Sequence, residues 1–279
     1  MQPFLPRLLL LAGVLSALVY GLAVQRLSEL PRATAKPELL IALPRFAQVF
    51  LAAGDRYLAA NLAGFRVLVA ETERMRPEDY AVQAKLQRDI AWFNPAHEDN
   101  YYIAAAILPW NDQVDAAEYV LRKASEARTF DWYPLFHYGF LFYHFRNDPA
   151  TGAQWLLKGV PRVTNQQDEW ALQNVAAAWI EKGYDTANAA GLVGAMAENA
   201  PQGAFRNYLQ VRADRLRDLA ALQDAAKRFR ERYGKDLERL DELVSSGLIT
   251  EIPTDALGFG FGLDASGRPI LHSSSEGRK

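Results

Sequence analysis

The chain contains no cysteine. Disulfides, thiolate nucleophiles, haem attachment through CxxCH and cysteine zinc sites are therefore excluded. Histidine is scarce too, with four in the whole sequence. Neither sign of charge dominates: 31 Lys and Arg stand against 33 Asp and Glu, a net charge of -2. That balance gives no general attraction to nucleic acid or acidic lipid. The signatures GxxxxGK(S/T), GxGxxG after a strand, HExxH and GxSxG are all missing. His97, Glu98 and Asp99 form a polar cluster that reads as helix capping with first-turn carboxylates. Nothing brings together a nucleophile, a base and an orienting group, so the expectation is a non-catalytic protein with no metal and no cofactor.

What is present begins with an uncharged run, Leu8 to Val24, bounded by Arg7 and Arg26. At about 1.5 Å per residue it covers roughly 25 Å, slightly less than a hydrocarbon core of about 30 Å. Phe4, Leu5 and snorkelling arginines can make up the difference. A cleaved signal peptide is the main rival, and a buried core helix a lesser one, but no clean A-x-A site follows the run. The expectation is a transmembrane signal anchor over 1–27, touching the membrane through residues 8–24. Flanking charge does not fix its orientation. Short signal anchors usually keep the amino terminus inside, which puts a single-pass protein in a bacterial inner membrane with its body in the periplasm. Residues 28–43, with Pro31 and Pro37, read as a linker.

Three stretches then repeat at about 36 residues, from Asn100, Asp131 and Asp168. Each has an apolar run at helical spacing, a polar turn and a second helical run. The turns fall at Asn111-Asp112, Asn147-Asp148 and Gly183-Tyr184. Ala105, Gly139 and Ala176 recur in the first helix, and Ala117, Ala153 and Ala190 in the second, where small side chains allow close approach. Pro95, Pro161 and Pro201 close second helices. Asp112 and Asp148 are expected N-caps, with Pro149 at the first helical position. An earlier pair starts at Gly54 and has Pro77-Glu78 in its turn. About four helical hairpins result between Gly54 and Pro201.

These residues resemble the tetratricopeptide repeat family. Tyr138-Gly139 and Phe142 sit at the family's first-helix offsets, Ala153 falls in the second helix, and Ala replaces Gly in the neighbouring repeats. The resemblance implies an all-α, TPR-like α-solenoid of antiparallel helix pairs over 44–201 whose groove binds peptides or protein partners. The aromatic stretch 131–146 fits such a first helix. Trp132, Phe136, Gly139 and Tyr143 share one face and Tyr138, Leu141 and Phe145 the other, so it is expected to be buried on both sides. His137 and His144 lie seven residues apart, wider than a helical zinc pair, and read as packed or groove-lining. Candidate partner-groove residues are Tyr101, Tyr102, Tyr133, His137, His144 and Trp170, because aromatic side chains dominate interface hot spots.

Over 202–247 a long amphipathic helix, with Leu209, Leu216, Leu219, Leu222, Ala226, Phe229 and Tyr233 on one stripe, is expected to close the last repeat. Gly234 ends it, and a short helix follows. Residues 248–279 read as a β-hairpin and tail: Phe259, Phe261 and Leu263 alternate with glycine, Asp264 opens a turn, and Arg268 to Leu271 return. The run also resembles the carboxy-terminal pattern of type II secretion and type IV pilin-like proteins. Asp255 and Gly258 match, Ala256 replaces the usual Pro, and the amino terminus lacks the pilin cleavage motif. Asp255 and Asp264 offer two carboxylates to calcium, but turn capping explains them more simply.

The function expected from the sequence is a membrane-tethered scaffold for protein–protein interaction in the bacterial envelope, with no nucleic-acid partner. One alternative is a structural or assembly component of a pilus, secretion or exopolysaccharide machine. A second is a ligand-binding protein or enzyme using the aromatic helix at 131–146.

Overall fold

The computed structural model describes residues 4–29, 41–70 and 75–272. The expected linker, 28–43, and the tail beyond residue 272 lie largely outside them. Helices make up most of the described chain, and one small antiparallel sheet completes it.

The first helix, α1, is Phe4–Glu29. Its described side chains, from residue 12 to residue 26, are all exposed. Among the described residues no helix is long and apolar enough to cross a membrane. The anchor expected over 1–27 is thus a helix whose spanning of a bilayer the fold does not support.

Helix α2, Arg45–Leu51, precedes eight helices arranged as four consecutive pairs: α3 Arg56–Leu68 with α4 Pro77–Phe93, α5 Glu98–Ile107 with α6 Val114–Ala127, α7 Tyr133–Phe145 with α8 Pro149–Gly159, and α9 Gln166–Gly183 with α10 Thr186–Asn199. Partners within each pair touch, as do α6 with α7, α8 with α9 and α4 with α6. Connections this short return each helix along its predecessor. Helix α11, Ala204–Tyr233, packs on α10, and the short α12, Asp241–Ser245, leads to strands β1 Phe261–Leu263 and β2 Pro269–Leu271. In the hairpin, Phe261 faces Leu271 and Leu263 faces Pro269. Phe259 falls outside the strand, because Gly258 and Gly260 both take positive φ.

Local chemistry sets the boundaries. Asp148 caps α8 by accepting from the Thr151 amide at 3.0 Å, with Pro149 next. Asp112 does not cap α6: it sits left-handed after a 3-10 turn, Pro109–Asn111, and Gln113 takes the cap position. Pro77 is not in a turn but opens α4, the first-turn position where a missing amide is harmless. Gly234, at φ 68°, ends α11.

The core is a succession of four clusters in chain order. Ala59, Ala60, Ala63, Leu86, Ile90 and Phe93 join α3 to α4. Tyr101, Ala104, Leu121, Tyr138 and Leu141 fill the space among α5, α6 and α7. Leu156, Ala176, Ile180, Val193, Leu209 and Ala213 link α8 through to the first half of α11. The second half of α11 gives Leu222, Ala225 and Phe229 to a separate cluster with Leu237, Leu243, Phe261 and Leu263. Complete burial of a leucine is worth about 1.5–3 kcal/mol, so each cluster makes its own contribution. Helices α7 and α8 approach closely. A Cβ on Gly139 would lie 2.7 Å from the Gly152 carbonyl oxygen.

Candidate functional site

Helix α7 has three faces rather than two. Trp132, Phe136, Phe140 and Tyr143 pack towards the α8–α11 cluster. Tyr138 and Leu141 are buried against α5 and α6, with Phe142 at the edge. The third stripe is Tyr133, His137 and His144, bordering the first face at Phe140. It stays at the surface: Tyr133 is 41% exposed and His144 is exposed. The expectation of a helix buried all round is corrected here. The reason is geometric: a helix at one side of a row has neighbouring helices on some of its faces and none on the remaining one.

Helix α5 supplies the other wall. Tyr102, 37% exposed, has its ring 6.1 Å from Tyr133 and 5.6 Å from His137. Trp132 stacks on Tyr133 at 4.1 Å. Further along, Trp110 is 58% exposed, 5.1 Å from His144 and 4.8 Å from Phe145. On α9 and α11, Trp170 stacks on Phe205 at 5.4 Å, and Tyr208 lies 6.4 Å beyond Phe205. Arg212 fixes that end. It pairs with Glu181, donates to Asn174 Oδ1 at 2.8 Å and stands over the Tyr208 ring.

The six sequence candidates therefore separate. Tyr102, Tyr133 and His137 share one patch. His144 lies in a second with Trp110, and Trp170 in a third with Phe205. Tyr101 drops out as a contact residue, being 1% exposed with its hydroxyl donating to Asp131 Oδ2 at 3.0 Å. Burial, reinforced by the Tyr102 and Asp131 side chains, pushes that hydroxyl far above its ordinary pKa. Sequence reasoning missed Trp110, Phe205 and Tyr208. They lie on elements that carry none of the six candidates: Trp110 in the 3-10 turn after α5, and Phe205 and Tyr208 at the start of α11.

A polar hub holds these helices in place. Asp131 Oδ2 accepts from Arg128 Nε at 2.8 Å as well as from Tyr101, while its Oδ1 accepts from the Tyr133 amide at 3.0 Å. Arg128 also donates to the Ala96 carbonyl at 3.1 Å and to Glu98 at 2.9 Å. Arg162 donates to the carbonyls of Ser125, Arg128 and Asp131. One cluster thus ties the start of α5, the α6–α7 corner and the end of α8. Burial works against the Arg128 charge, but the hydrogen bond and charge of Asp131 outweigh it and raise the pKa. Burial pushes the His137 imidazole below its ordinary value, against a weaker pull from the Asp131 charge. Near pH 7 it is neutral and sits among rings as a flat, mostly apolar group.

Among the described residues no group of three or more His, Asp or Glu is placed to hold a metal. Asp255 and Asp264 are spent on turns. Asp255 accepts from the amides of Leu257, Phe259 and Gly260 at 2.7–3.0 Å, and Asp264 from those of Ser266 and Arg268. A cleft of about 750 Å³ between α2, α4 and the turn before α6 sets Arg45, Lys85 and Arg88 beside Asp89, Asp112 and Asp115. Its most buried carboxylate, Asp89, already accepts from Arg45, Gln48 and Lys85 at 2.6–3.0 Å. The aromatic face presents flat rings together with the imidazoles of His137 and His144. In comparisons with known proteins the chain matches no family model, no curated protein and no solved structure.

Proposed function

We propose that this chain is a non-catalytic adaptor of the tetratricopeptide kind, tethered to a bacterial inner membrane, whose α5–α7 face receives a protein partner on the periplasmic side. The observation that carries the reading is the exposed aromatic surface of Tyr102, Trp110, Tyr133 and His144 on helices otherwise packed on two sides. Large rings left in water on a rigid scaffold are the residues that become hot spots when a partner dries them. Four helix pairs in register, with close contact at Gly139 and Gly152, favour the repeat reading. The uncharged run of residues 8–24 and the exposed apolar side chains on α1, Leu15 and Leu18 among them, favour attachment to lipid.

The test is a photo-reactive residue at Tyr133 or Trp110 in the full chain within intact membranes. Discrete cross-linked species are expected there, and none from an exposed position on α11 such as Lys227. A second arm replaces Tyr102 and Trp110 by Ala. It should abolish adducts formed at Tyr133 while leaving the thermal midpoint within about 2 °C, since exposed side chains contribute little to stability. Adducts that are absent, or equal at all positions, refute the partner face.

A second reading, an assembly component of a pilus, secretion or exopolysaccharide machine, is favoured by one feature. The carboxy-terminal module packs its own cluster on α11 and is joined there by the Arg215–Asp255 ion pair at 2.9 Å. Asp255→Asn should disturb assembly on this reading; normal assembly with the variant rejects it.

A further inference from the structure

Helix α3 is built the wrong way round for a helix at the end of a water-soluble bundle. Its small residues, Ala59, Ala60, Ala63 and Gly64, face α4, and its large ones face out. Leu58, Leu62, Phe65 and Val69 recur at four, three and four, which is one stripe. With Leu68 they are 38–66% exposed. Helix α2 extends the surface with Phe46 at 78%, Phe50 at 82% and Leu51 at 68%. Phe46, Phe50 and Trp92 line an apolar groove of about 630 Å³ between α2 and α4. Isolated exposed apolar residues are ordinary, but a continuous face of this kind marks a contact surface.

We infer that the α2–α3 face lies on the lipid bilayer, with its rings and leucines in the boundary between headgroups and acyl chains. Three observations choose lipid. The face begins at Ile41, separated from the apolar α1 by the eleven residues 30–40, so it stays within about 40 Å of the end of α1. Helices α2 and α3 carry three arginines, Arg45, Arg56 and Arg66, and no acidic residue of their own; Arg45 pairs with Asp89 of α4, and Asp55 precedes α3. Asp55 is occupied in capping α3, accepting from the amides of Tyr57 and Leu58. Finally, the mixture of Phe, Tyr, Leu and Arg on one amphipathic helix is the composition of helices that lie in a membrane interface. Arg56 rests over the Tyr57 ring at 4.7 Å, an aromatic and cationic pair suited to headgroup depth. The inference deepens the proposed membrane tether and rests on it.

With no native cysteine, a single introduced thiol labels one position. Full-length Leu62→Cys, Phe65→Cys, Leu18→Cys and Lys227→Cys variants carry a polarity-sensitive fluorophore. Each is mixed with vesicles of equal parts phosphatidylethanolamine and phosphatidylglycerol. Leu62 and Phe65 labels should shift to the blue, be quenched by doxyl-labelled lipid and lose several-fold in quenching by aqueous iodide, whereas Lys227 should not change. Quenching by lipid at Leu18 with Leu62 and Phe65 still open to iodide overturns the inference and leaves the tether standing. No lipid quenching at any position overturns both. Shielding of Leu62 and Phe65 that rises with protein concentration without lipid means that a second copy covers the face, and also overturns it. Leu62→Glu with Phe65→Glu, outward substitutions that leave the core untouched, should abolish the lipid contact reported by a label at Leu58→Cys.

Discussion

Gly139 shows how little room single residues have between α7 and α8. An added methyl would meet Leu156 Cδ1 at 2.4 Å and the Gly152 backbone at 2.7 Å. Backbone cannot yield as a side-chain end does, so Gly139→Ala should destabilise by about 2 kcal/mol or more. Gly191, exposed on α10 with nothing within 4 Å, is the control. Gly191→Ala should stabilise by about 0.5–1 kcal/mol through helix propensity. Chemical denaturation of both variants checks the pair. At Asp131, replacement by Ala takes the Nε partner from the Arg128 guanidinium, whose side chain is 12% exposed, and unties Tyr101. A loss of about 3 kcal/mol is expected in the same measurement. His137 adds a pH signature. Its folded pKa is depressed below the ordinary 6.5, so the unfolded chain binds the proton first as pH falls. Its contribution is whole above that ordinary value and declines below it, through the window down to the depressed one. The stability of His137→Phe relative to the native chain should therefore rise on going from about pH 7.5 to about pH 5.5. A difference that stays constant with pH removes His137 from the acid response.

Elements were legible where their signals are local. Asp148-Pro149 is a cap followed by a first-turn proline, and the chain obeys it. Asp148→Ala should cost about 1 kcal/mol in α8. Hydrogen bonds at that cap hold the Asp148 carboxyl below its ordinary range, so the contribution stands at neutral pH and fades as acid protonates it. The sequence misplaced Asp112 because Asn111-Asp112 looks like the same signal. The preceding Pro109 and Trp110 instead wind a 3-10 turn, and Asp112 closes it in the left-handed region. Capping grammar is read from neighbours, whereas the path that delivers the chain to the cap depends on what the previous helix packs against. The same distinction explains Tyr101 and Tyr102. Adjacent tyrosines are equivalent as sequence, yet about 100° apart on a helix, so one is buried on Asp131 and the other reaches solvent.

At the scale of the whole molecule, four clusters in chain order imply nearest-neighbour stability. Leu222→Ala, in the cluster formed by α11 and the hairpin, should cost about 2–5 kcal/mol locally. Hydrogen-exchange protection should fall over 236–272 and hold over α5–α8; a uniform loss means one cooperative unit instead. Gln83 and Gln87 are fully buried on α4, and their amide atoms find no protein partner among the described residues. Two such amides are expensive for a core.

Sequence by itself determined the helical class, the paired rhythm of the central helices, the breaks at Gly234 and Pro201, and the small closing hairpin. These follow from periodicity, capping and backbone restriction, which act over a few residues. Tertiary structure alone decided which apolar residues remain in water. The stripe of α7 at Tyr133 and His144, and the reversed face of α3, depend on how many neighbours a helix has and on which side. A pattern of large and small residues cannot supply that number, because an apolar side chain is written identically whether it will meet another helix, a partner or a membrane.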